Sequence, residues 1–216
     1  RLAGIRALAA RAAAAPRERE PALAVLEGLA ADSDYLVRRA SAAALAALGA
    51  PGPEVGAIDT GHGLEWYREA LGQARGRPVV ELETERGTLR IRLECPEAPL
   101  ACLSFRKLAG QGYFDGTRFH RVVPDFVVQG GDPRGDGWGG PGYVLRDEIN
   151  RLRYRRGAVG MALSGPDTGG SQFFVALSAQ PHLDGDYTLF GTLVGGEAVL
   201  DQLRQGDRIL RAREVE

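Results

Sequence analysis

The 216-residue chain has few cysteines and histidines and no long apolar run. It has two cysteines and three histidines that lie far from them in sequence, which disfavours a zinc site built from these ligands. It has no run of 18 apolar residues, which excludes an ordinary membrane span within this stretch. The net charge is −1, so no overall basic field attracts nucleic acid or an acidic membrane. The remaining composition, 44% hydrophobic and 25% charged, is that of an ordinary globular protein.

The two cysteines, Cys95 and Cys102, have six residues between them in CPEAPLAC and allow two interpretations. They are two buried thiols, which is usual for free cysteine, or they form a disulfide between a strand end and the following helix. A disulfide would indicate an oxidising compartment. The chain begins at Arg1 and not at Met, which suggests a fragment or a processed product. The compartment therefore stays open between the cytoplasm and the periplasm of a bacterium.

Residues 1–50 are crowded with alanine and predict three short helices. RLAGIRALAARA and PALAVLEGLA carry leucine or isoleucine at helical spacing. DSDYLVRRASAAALAALG begins with capping residues and ends on glycine, which are start and stop signals of a helix.

The third of these segments has an aspartate, Asp34, shortly before the pair Val37-Arg38. This arrangement resembles the second helix of a HEAT repeat, and IRALAA at Ile5 looks like the matching helix of the preceding repeat. Stacked repeats need roughly three units for stability, so the resemblance implies the end of a longer array. The alternative is a plain helical hairpin packed on the rest of the protein.

The following residues predict a linker and then a β domain. GAPGPEVGAIDTGHG is rich in Gly and Pro, and LEWYREALGQA reads as one short helix, so 51–75 is expected to be a linker containing that helix. From 76 to 216, short alternating runs such as VVELETERGTLRIRLE predict strands, with Arg86-Gly87 at a turn. Helices are expected at APLACLSFRKLAGQG and GGEAVLDQLRQG. Many strands with two helices indicate a closed antiparallel barrel.

The loop GDPRGDGWGGPG contains Gly135-x-Gly137-x-x-Gly140, which matches a dinucleotide-binding fingerprint. That fingerprint requires a helix that opens at its last glycine, so that phosphate meets the helix N-terminus. Pro141 and Gly142 stand where this helix should begin, and both oppose helix formation. The sequence therefore predicts a tight surface loop and no nucleotide site.

Three segments that contain motifs lie before and after this loop in the sequence. They are FHRVVPDFVVQGGDP (119–133), GMALSGPDTGGSQFFVAL (160–177) and PHLDGDYTLFG (181–191). In their order and spacing they resemble the cyclophilin family of peptidyl-prolyl cis–trans isomerases, and the resemblance runs from about residue 78 to 216. It implies a mainly β fold: a closed eight-stranded antiparallel barrel capped by two helices, with substrate on its outer face, preceded here by the HEAT-like helices.

Isomerisation of an X–Pro bond breaks no covalent bond, so the resemblance implies no nucleophile, metal or cofactor. The barrier of about 18–20 kcal/mol comes from amide resonance. A catalyst needs a fixed donor near the prolyl nitrogen, an apolar slot for the ring and polar groups for the preceding carbonyl. Arg121, which is permanently charged and multiply donating, fits the donor role. By resemblance it is the catalytic arginine, and the alternative is a surface arginine in an ion pair.

The resemblance extends the site to further positions. The catalytic set is completed by Gln129, which would bind substrate and orient the arginine, and by Phe126. The expected substrate-binding residues are Val127, Ala162, Leu163, Phe174, His182, Leu183, Tyr187 and Gly137. Aromatic and aliphatic members of the set would form the proline pocket, whereas Ala162 and Leu163 would offer backbone groups to an extended peptide. Gly137 and Gly139 would keep side chains clear of it, and ordinary barrel core is the alternative for Val127.

Four of these residues depart from the common cyclophilin pattern. Val127 replaces a methionine, Leu163 an asparagine, His182 a tryptophan and Tyr187 a histidine. The loss of the indole at His182 implies weak sensitivity to cyclosporin. Because this chemistry needs no proton transfer, His120 and His182 are expected to be wall or structural residues.

Two functions remain, with a nucleotide-binding enzyme a distant third. The first is an isomerase that acts on proline-containing polypeptides, whose helical segment binds clients or a protein partner, without nucleic acid. The second is a non-catalytic module that docks proline-containing peptides. The presence of Arg121, Phe126, Gln129 and Phe174 together favours the first.

Overall fold

Helices occupy the first part of the chain and strands most of the second part. A computed structural model describes residues 2–32, 34–56 and 58–215. Its α-helices are α1 (Leu2–Ala14), α2 (Pro16–Leu29), α3 (Tyr35–Ala47), α4 (Leu64–Gly72), α5 (Pro99–Gly110) and α6 (Glu197–Leu200). Its strands are β1 (Val79–Thr84), β2 (Gly87–Leu93), β3 (Arg121–Val123), β4 (Val127–Gly130), β5 (Ala158–Met161), β6 (Phe173–Ala176), β7 (Leu189–Gly195) and β8 (Ile209–Val215). The predicted strand segment VVELETERGTLRIRLE contains β1 and β2.

The chain divides into two units, Arg1–Ile58 and Asp59–Glu216. In the first, α1, α2 and α3 pack around an aliphatic core in which Leu26 and Leu45 are fully buried. The three predicted helices are therefore present, although their identity as HEAT repeats stays a prediction.

Asp34 has a local role at the start of α3. Its carboxylate accepts hydrogen bonds from the backbone N–H groups of Leu36 (2.9 Å) and Val37 (3.4 Å). These N–H groups have no partner within the first turn of the helix, so the aspartate is an N-cap.

The second unit is built on one antiparallel sheet of eight strands in the order β3-β4-β6-β5-β7-β2-β1-β8. The hairpin β1–β2 closes at the pair Thr84 and Gly87, so its turn residues are Glu85 and Arg86, one residue earlier than the predicted Arg86-Gly87.

The prediction of a closed barrel is wrong, because the sheet curls into an open half-barrel whose end strands, β3 and β8, do not pair. The segment before β3 bonds to the start of β8 instead, from Phe119 N to Asp207 O and from Ile209 N to Thr117 O, both 2.9 Å. Because Arg118 faces Arg208 in an antiparallel bridge, β3 lies opposite the loop that precedes β8 and not opposite β8 itself.

The strands β4, β5 and β6 bury both of their faces. In β6, Phe173 and Val175 point into the main core of the half-barrel, whereas Phe174 and Ala176 point into a second apolar cluster on the opposite face. This alternation follows from the pleat of a strand, which directs successive side chains to opposite sides. The second cluster is the outer surface on which the candidate site lies.

One end of the main core is filled by α5, whose Phe105 ring lies 5.0 Å from Phe114 and 5.3 Å from both Phe173 and Phe190. The other predicted capping helix is reduced to the four residues of α6. The chain turns after α6 because the carboxylate of Asp207 accepts a hydrogen bond from Arg204 N at 2.8 Å.

The N-terminus of α5 holds a carboxylate from a distant loop. Glu148 accepts hydrogen bonds from Leu100 N (2.8 Å) and Ala101 N (2.9 Å). Burial raises the pKa of Glu148 to about 7, although these two N–H groups oppose the rise. In the same helix Cys102 is buried and free, as is Cys95, which agrees with the buried-thiol interpretation.

The helix α4 packs on the rest of the second unit through an aromatic contact. The ring of His62 stacks on Trp66 with centroids 3.8 Å apart and is tilted on Tyr143 at 4.4 Å. Trp66 also packs against the main core, and Glu69 forms an ion pair of 2.6 Å with Lys107 of α5. No described helix is long and apolar enough to cross a membrane.

The substitution Glu148→Gln should change how stability depends on pH. Between pH 4.5 and about 7 the folded protein keeps this proton and the unfolded chain loses it, so the free energy of unfolding falls as pH rises. This pKa difference corresponds to about 3 kcal/mol. Chemical denaturation from pH 4.5 to 7.5 should show the variant gaining stability relative to the wild type as pH rises. The exposed Glu97→Gln is the control, and parallel curves for wild type and Glu148→Gln would contradict the expectation.

The substitution Trp66→Ala should destabilise the second unit by about 2 kcal/mol, less than for a fully buried aromatic residue because Trp66 is half-buried. Denaturation followed by circular dichroism measures this loss. Leu71→Ala, in the same helix but 66% exposed, should stay within about 0.5 kcal/mol of the wild type. Equal effects of the two substitutions would show that the aromatic contact does not hold α4.

Candidate active site

The hairpin β3–β4 brings the three predicted catalytic residues together. Arg121 and Gln129 are directly opposed across the antiparallel pair, so their side chains share one face. Arg121 Nη1 donates a long hydrogen bond of 3.4 Å to Gln129 Oε1, and its guanidinium carbon lies 5.4 Å from the centre of the Phe126 ring. Arg121 is exposed, so its remaining N–H groups face solvent.

A second glutamine, Gln172, extends this contact and was not predicted. Gln129 Nε2 donates to Gln172 Oε1 at 3.1 Å. Gln172 Nε2 in turn donates to the carbonyl oxygens of Gly137 (3.0 Å) and Gly139 (2.9 Å). A hydrogen-bonded series therefore runs from the arginine to the glycine-rich loop. The available signal was the motif SQFF, in which Gln172 precedes the two phenylalanines.

Next to the arginine lies the second apolar cluster. Val127, Phe174 and Leu183 are 2%, 5% and 6% exposed, and Phe126, Ala162 and Tyr187 pack around them half-buried. The cluster also contains residues that the sequence did not single out, namely Leu152, Tyr154, Ala158, Ala176 and Leu189. An apolar surface with an arginine at its edge is therefore present on the outer face of the sheet.

Aromatic rings form the walls of this cluster. Tyr154 stacks on Phe174 at 5.6 Å between centroids, and Tyr187 meets Phe174 edge-on at 6.0 Å. His182 is exposed, and its imidazole ring stacks on the ring of Phe126 with centroids 5.7 Å apart, so it lines one side of the cluster.

The two residues predicted to offer backbone groups to a peptide, Ala162 and Leu163, pack in different places. Leu163 packs against the main core and does not join the second cluster. The backbone N–H of Ala162 donates to Gln172 O at 3.0 Å and is therefore already used within the protein.

The turn between β3 and β4 fixes the position of Phe126. Its central residue Asp125 has a φ of 58°, which is unusual for a residue with a side chain. Gln180 Nε2 and Ser178 Oγ both donate hydrogen bonds to Asp125 O, at 2.7 and 2.5 Å. Phe126 O accepts from Leu177 N at 2.8 Å, so the ring is presented by a backbone held on both sides.

The glycine-rich loop wraps around its own carboxylate. Asp132 is fully buried and accepts hydrogen bonds from Arg134 N at 2.8 Å and from Gly137 N at 2.5 Å. Burial alone would raise its pKa, but the backbone N–H groups of Arg134, Gly137, Gly139 and Gly135 outweigh it and lower the pKa. The loop therefore offers its N–H groups to an internal anion.

Two glycines of this loop are required by that arrangement. Gly137 has a φ of 86°, and a Cβ on Gly139 would lie 2.0 Å from Asp132 Oδ1. Their predicted role, to leave room for a substrate, stays a prediction. As the sequence predicts, residues 141–150, which follow the last glycine of the fingerprint, are not helical. Trp138, between these glycines, is 79% exposed.

One further titratable group, His120, lies beside the glycine-rich loop. Burial lowers the pKa of His120, which lies near Gly137, so its imidazole is neutral at pH 7. Over residues 2–32, 34–56 and 58–215 no group of three potential metal ligands is present.

Comparisons with known proteins agree on one family. Residues 79–215 match the family model described as cyclophilin type peptidyl-prolyl cis-trans isomerase/CLD. A peptidyl-prolyl cis-trans isomerase of Synechococcus elongatus is 48% identical over 136 residues, which cover 62% of this chain and 94% of that protein. Peptidyl-prolyl cis-trans isomerase B of Bacillus subtilis is 46% identical over 121 residues, 55% of this chain and 85% of that protein.

Solved structures give the same result. A cyclophilin type peptidyl-prolyl cis-trans isomerase of Cryptosporidium parvum superposes with a TM-score of 0.63 at 36% identity, covering 65% of this chain and 99% of the other. The same protein in the presence of the dipeptide Ala-Pro gives a TM-score of 0.61 at 36% identity, covering 64% and 99%.

The substitution Asp132→Asn should destabilise the second unit by about 2 kcal/mol at neutral pH, because it removes the charge from several buried hydrogen bonds. The lowered pKa means that this stabilisation is present above pH 3.8, the ordinary value, and is lost as pH falls below it through the folded-state pKa. Denaturation at pH 7 and pH 3 should show the difference between the proteins shrinking at the lower pH. Asp136→Asn, an exposed change in the same loop, is the control, and a constant difference would contradict the expectation.

Proposed function

The chain belongs to the cyclophilin-type peptidyl-prolyl cis–trans isomerase family and is a peptidyl-prolyl cis–trans isomerase, and we propose that it accelerates rotation about X–Pro peptide bonds at the surface formed by Arg121 and the second apolar cluster. The observation that carries this assignment is the contact of Arg121 with both Gln129 and Phe126 at the edge of that cluster. A charged donor and an apolar surface are thereby presented side by side.

In this proposal Arg121 stabilises the twisted amide. When the X–Pro bond rotates, resonance is lost and the prolyl nitrogen regains a lone pair that can accept a hydrogen bond. A guanidinium N–H near that nitrogen binds the twisted state more strongly than the planar one, which is the differential binding that catalysis requires. The permanent charge of arginine makes this donor independent of pH over the physiological range.

Gln129 and Gln172 position the arginine and the glycine-rich loop. The bond from Arg121 to Gln129 Oε1 restrains the guanidinium, and the bond from Gln129 to Gln172 fixes the orientation of that amide. We infer that Gln129 also bonds the substrate backbone, since its side chain lies on the same face as the arginine.

The proline ring is proposed to bind among Phe126, Val127, Phe174 and Leu183, with Tyr187 and His182 as walls. Their packing supports the assignment, because the four residues belong to one cluster on the outer face of the sheet. Ala162 lies at the edge of this cluster, and Leu163 would contribute through its backbone. Gly137, whose carbonyl oxygen accepts a hydrogen bond from Gln172 Nε2, would border the path of the peptide.

The helical segment 1–50 is proposed to be HEAT-like and to bind clients or a protein partner. The Asp34 cap at the start of α3 and the alanine-rich core support this proposal. Residues 51–75, which include α4, would connect it to the isomerase domain at 76–216.

The substitution Arg121→Ala in the full chain should lower kcat/KM for a proline-containing peptide by about 10²–10³-fold, the usual cost of removing a donor to developing charge. Arg121→Lys should recover only part of the activity, because an ammonium lacks the planar fork of donors. A protease-coupled assay or NMR exchange on an Ala-Pro peptide measures both.

Arg118→Ala is the matched control, because this exposed arginine lies three residues earlier and donates to Gly206 O. It should leave turnover unchanged. If Arg121→Ala kept at least half of the wild-type kcat/KM, the assignment of the donor would be wrong. If the wild type and Arg121→Ala were both as slow as the uncatalysed reaction, a non-catalytic proline-binding module would be the better description.

A further inference from the structure

Four arginines occur within the six residues RLRYRR at 151–156, directly before β5. Exposure alternates along this segment: Arg151, Arg153 and Arg155 are exposed, whereas Leu152 is half-buried and Tyr154 is 2% exposed. One side of the segment therefore carries three guanidinium groups in solvent while the other side is packed. We call these three residues the arginine row.

The packed side of the segment belongs to the proposed proline pocket. Tyr154 stacks on Phe174 and its backbone N–H donates to Asp184 Oδ1 at 2.8 Å. Leu152 packs against the same apolar cluster. The arginine row consequently lies at the rim of the surface where the proline ring is proposed to bind.

The charge of the row is available to a ligand. The side chains of Arg151 and Arg155 have no hydrogen bond or ion pair with any residue that the structure describes, and Arg155 is bonded only through its backbone. Arg153 contacts Asp184 at 3.2 Å, but its side chain is 70% exposed, and such surface pairs contribute little to stability. Arg156 is different, because it is held by Leu177 O and Asp201 at 2.8 Å each, and it is not part of the row.

We propose that the arginine row docks acidic side chains of client polypeptides that lie close to the isomerised proline. The proposal rests on the proposed function, since it needs the proline to sit at Phe174. Guanidinium groups bind carboxylates through paired hydrogen bonds. A polypeptide is favoured over nucleic acid because the only aromatic residue of the segment 151–156, Tyr154, is buried and cannot stack on a base. The net charge of the chain, −1, also disfavours nucleic acid.

The test compares two peptides with the same central Ala-Pro, one flanked by Gly and Ser and one with Glu at alternate flanking positions. For the wild-type full chain at low salt, the acidic peptide should bind about fivefold more tightly, the order expected of three exposed ion pairs. The advantage should shrink as salt is raised. Fluorescence anisotropy of labelled peptides measures binding, and NMR exchange measures turnover.

The variant Arg151→Gln/Arg153→Gln/Arg155→Gln should lose the preference for the acidic peptide while it turns over the neutral peptide at the wild-type rate. The matched control is Arg6→Gln/Arg17→Gln/Arg39→Gln, which removes the same charge from exposed positions in the helical unit and should keep the preference.

Equal affinity of the wild type for the two peptides would overturn the proposal, as would an equal loss in the control. Tighter binding of a single-stranded oligonucleotide than of the acidic peptide, abolished by the triple variant, would also overturn it in favour of nucleic acid. If the proposed function were wrong, the wild type would not turn over the neutral peptide. The affinities of the two peptides could still be compared in that case.

Discussion

The pleat of β6 is the constraint on which both the core and the candidate site depend. Because successive side chains of a strand point to opposite faces, Phe173 fills the half-barrel while Phe174 forms the outer pocket. A shift of one residue in the pairing with β4 would exchange these two rings between the core and the outer face. Both faces are apolar here, so hydrophobicity alone does not set the register. The register depends on β4 and β5 pairing on either side, with Gln129 opposite Phe174 and Gly160 opposite Phe174.

Local features were the part of the fold that the sequence could predict. Alternating residues located the strands, and capping residues located α3, because both signals lie within a few residues of the element that they describe. The motif FHRVVPDFVVQ placed Arg121, Phe126 and Gln129 on one hairpin for the same reason. Their close contacts follow from a turn of few residues, which leaves little freedom in how the two strands meet.

Features that depend on distant contacts could not be read in this way. The end strands of the half-barrel do not pair, because residues 116–119 and not β3 meet the start of β8, some 90 residues later in the chain. The cap of α5 comes from Glu148 and not from a residue beside the helix, so no local capping motif reveals it. Leu163 and Gln172 show the same limit within the site: the first packs on the core instead of the pocket cluster, and the second joins two elements that no short motif relates.

The glycine-rich loop also shows why a phosphate-like motif need not bind phosphate. Its backbone N–H groups converge as they do in an anion-binding nest, but Asp132 is attached at the start of the same loop and occupies their centre. A covalently tethered ligand has an effective concentration that a freely diffusing anion cannot match. Asp132 therefore occupies the nest permanently. The hydrogen bonds of the nest hold the loop rigid and are not available to an anion from solution.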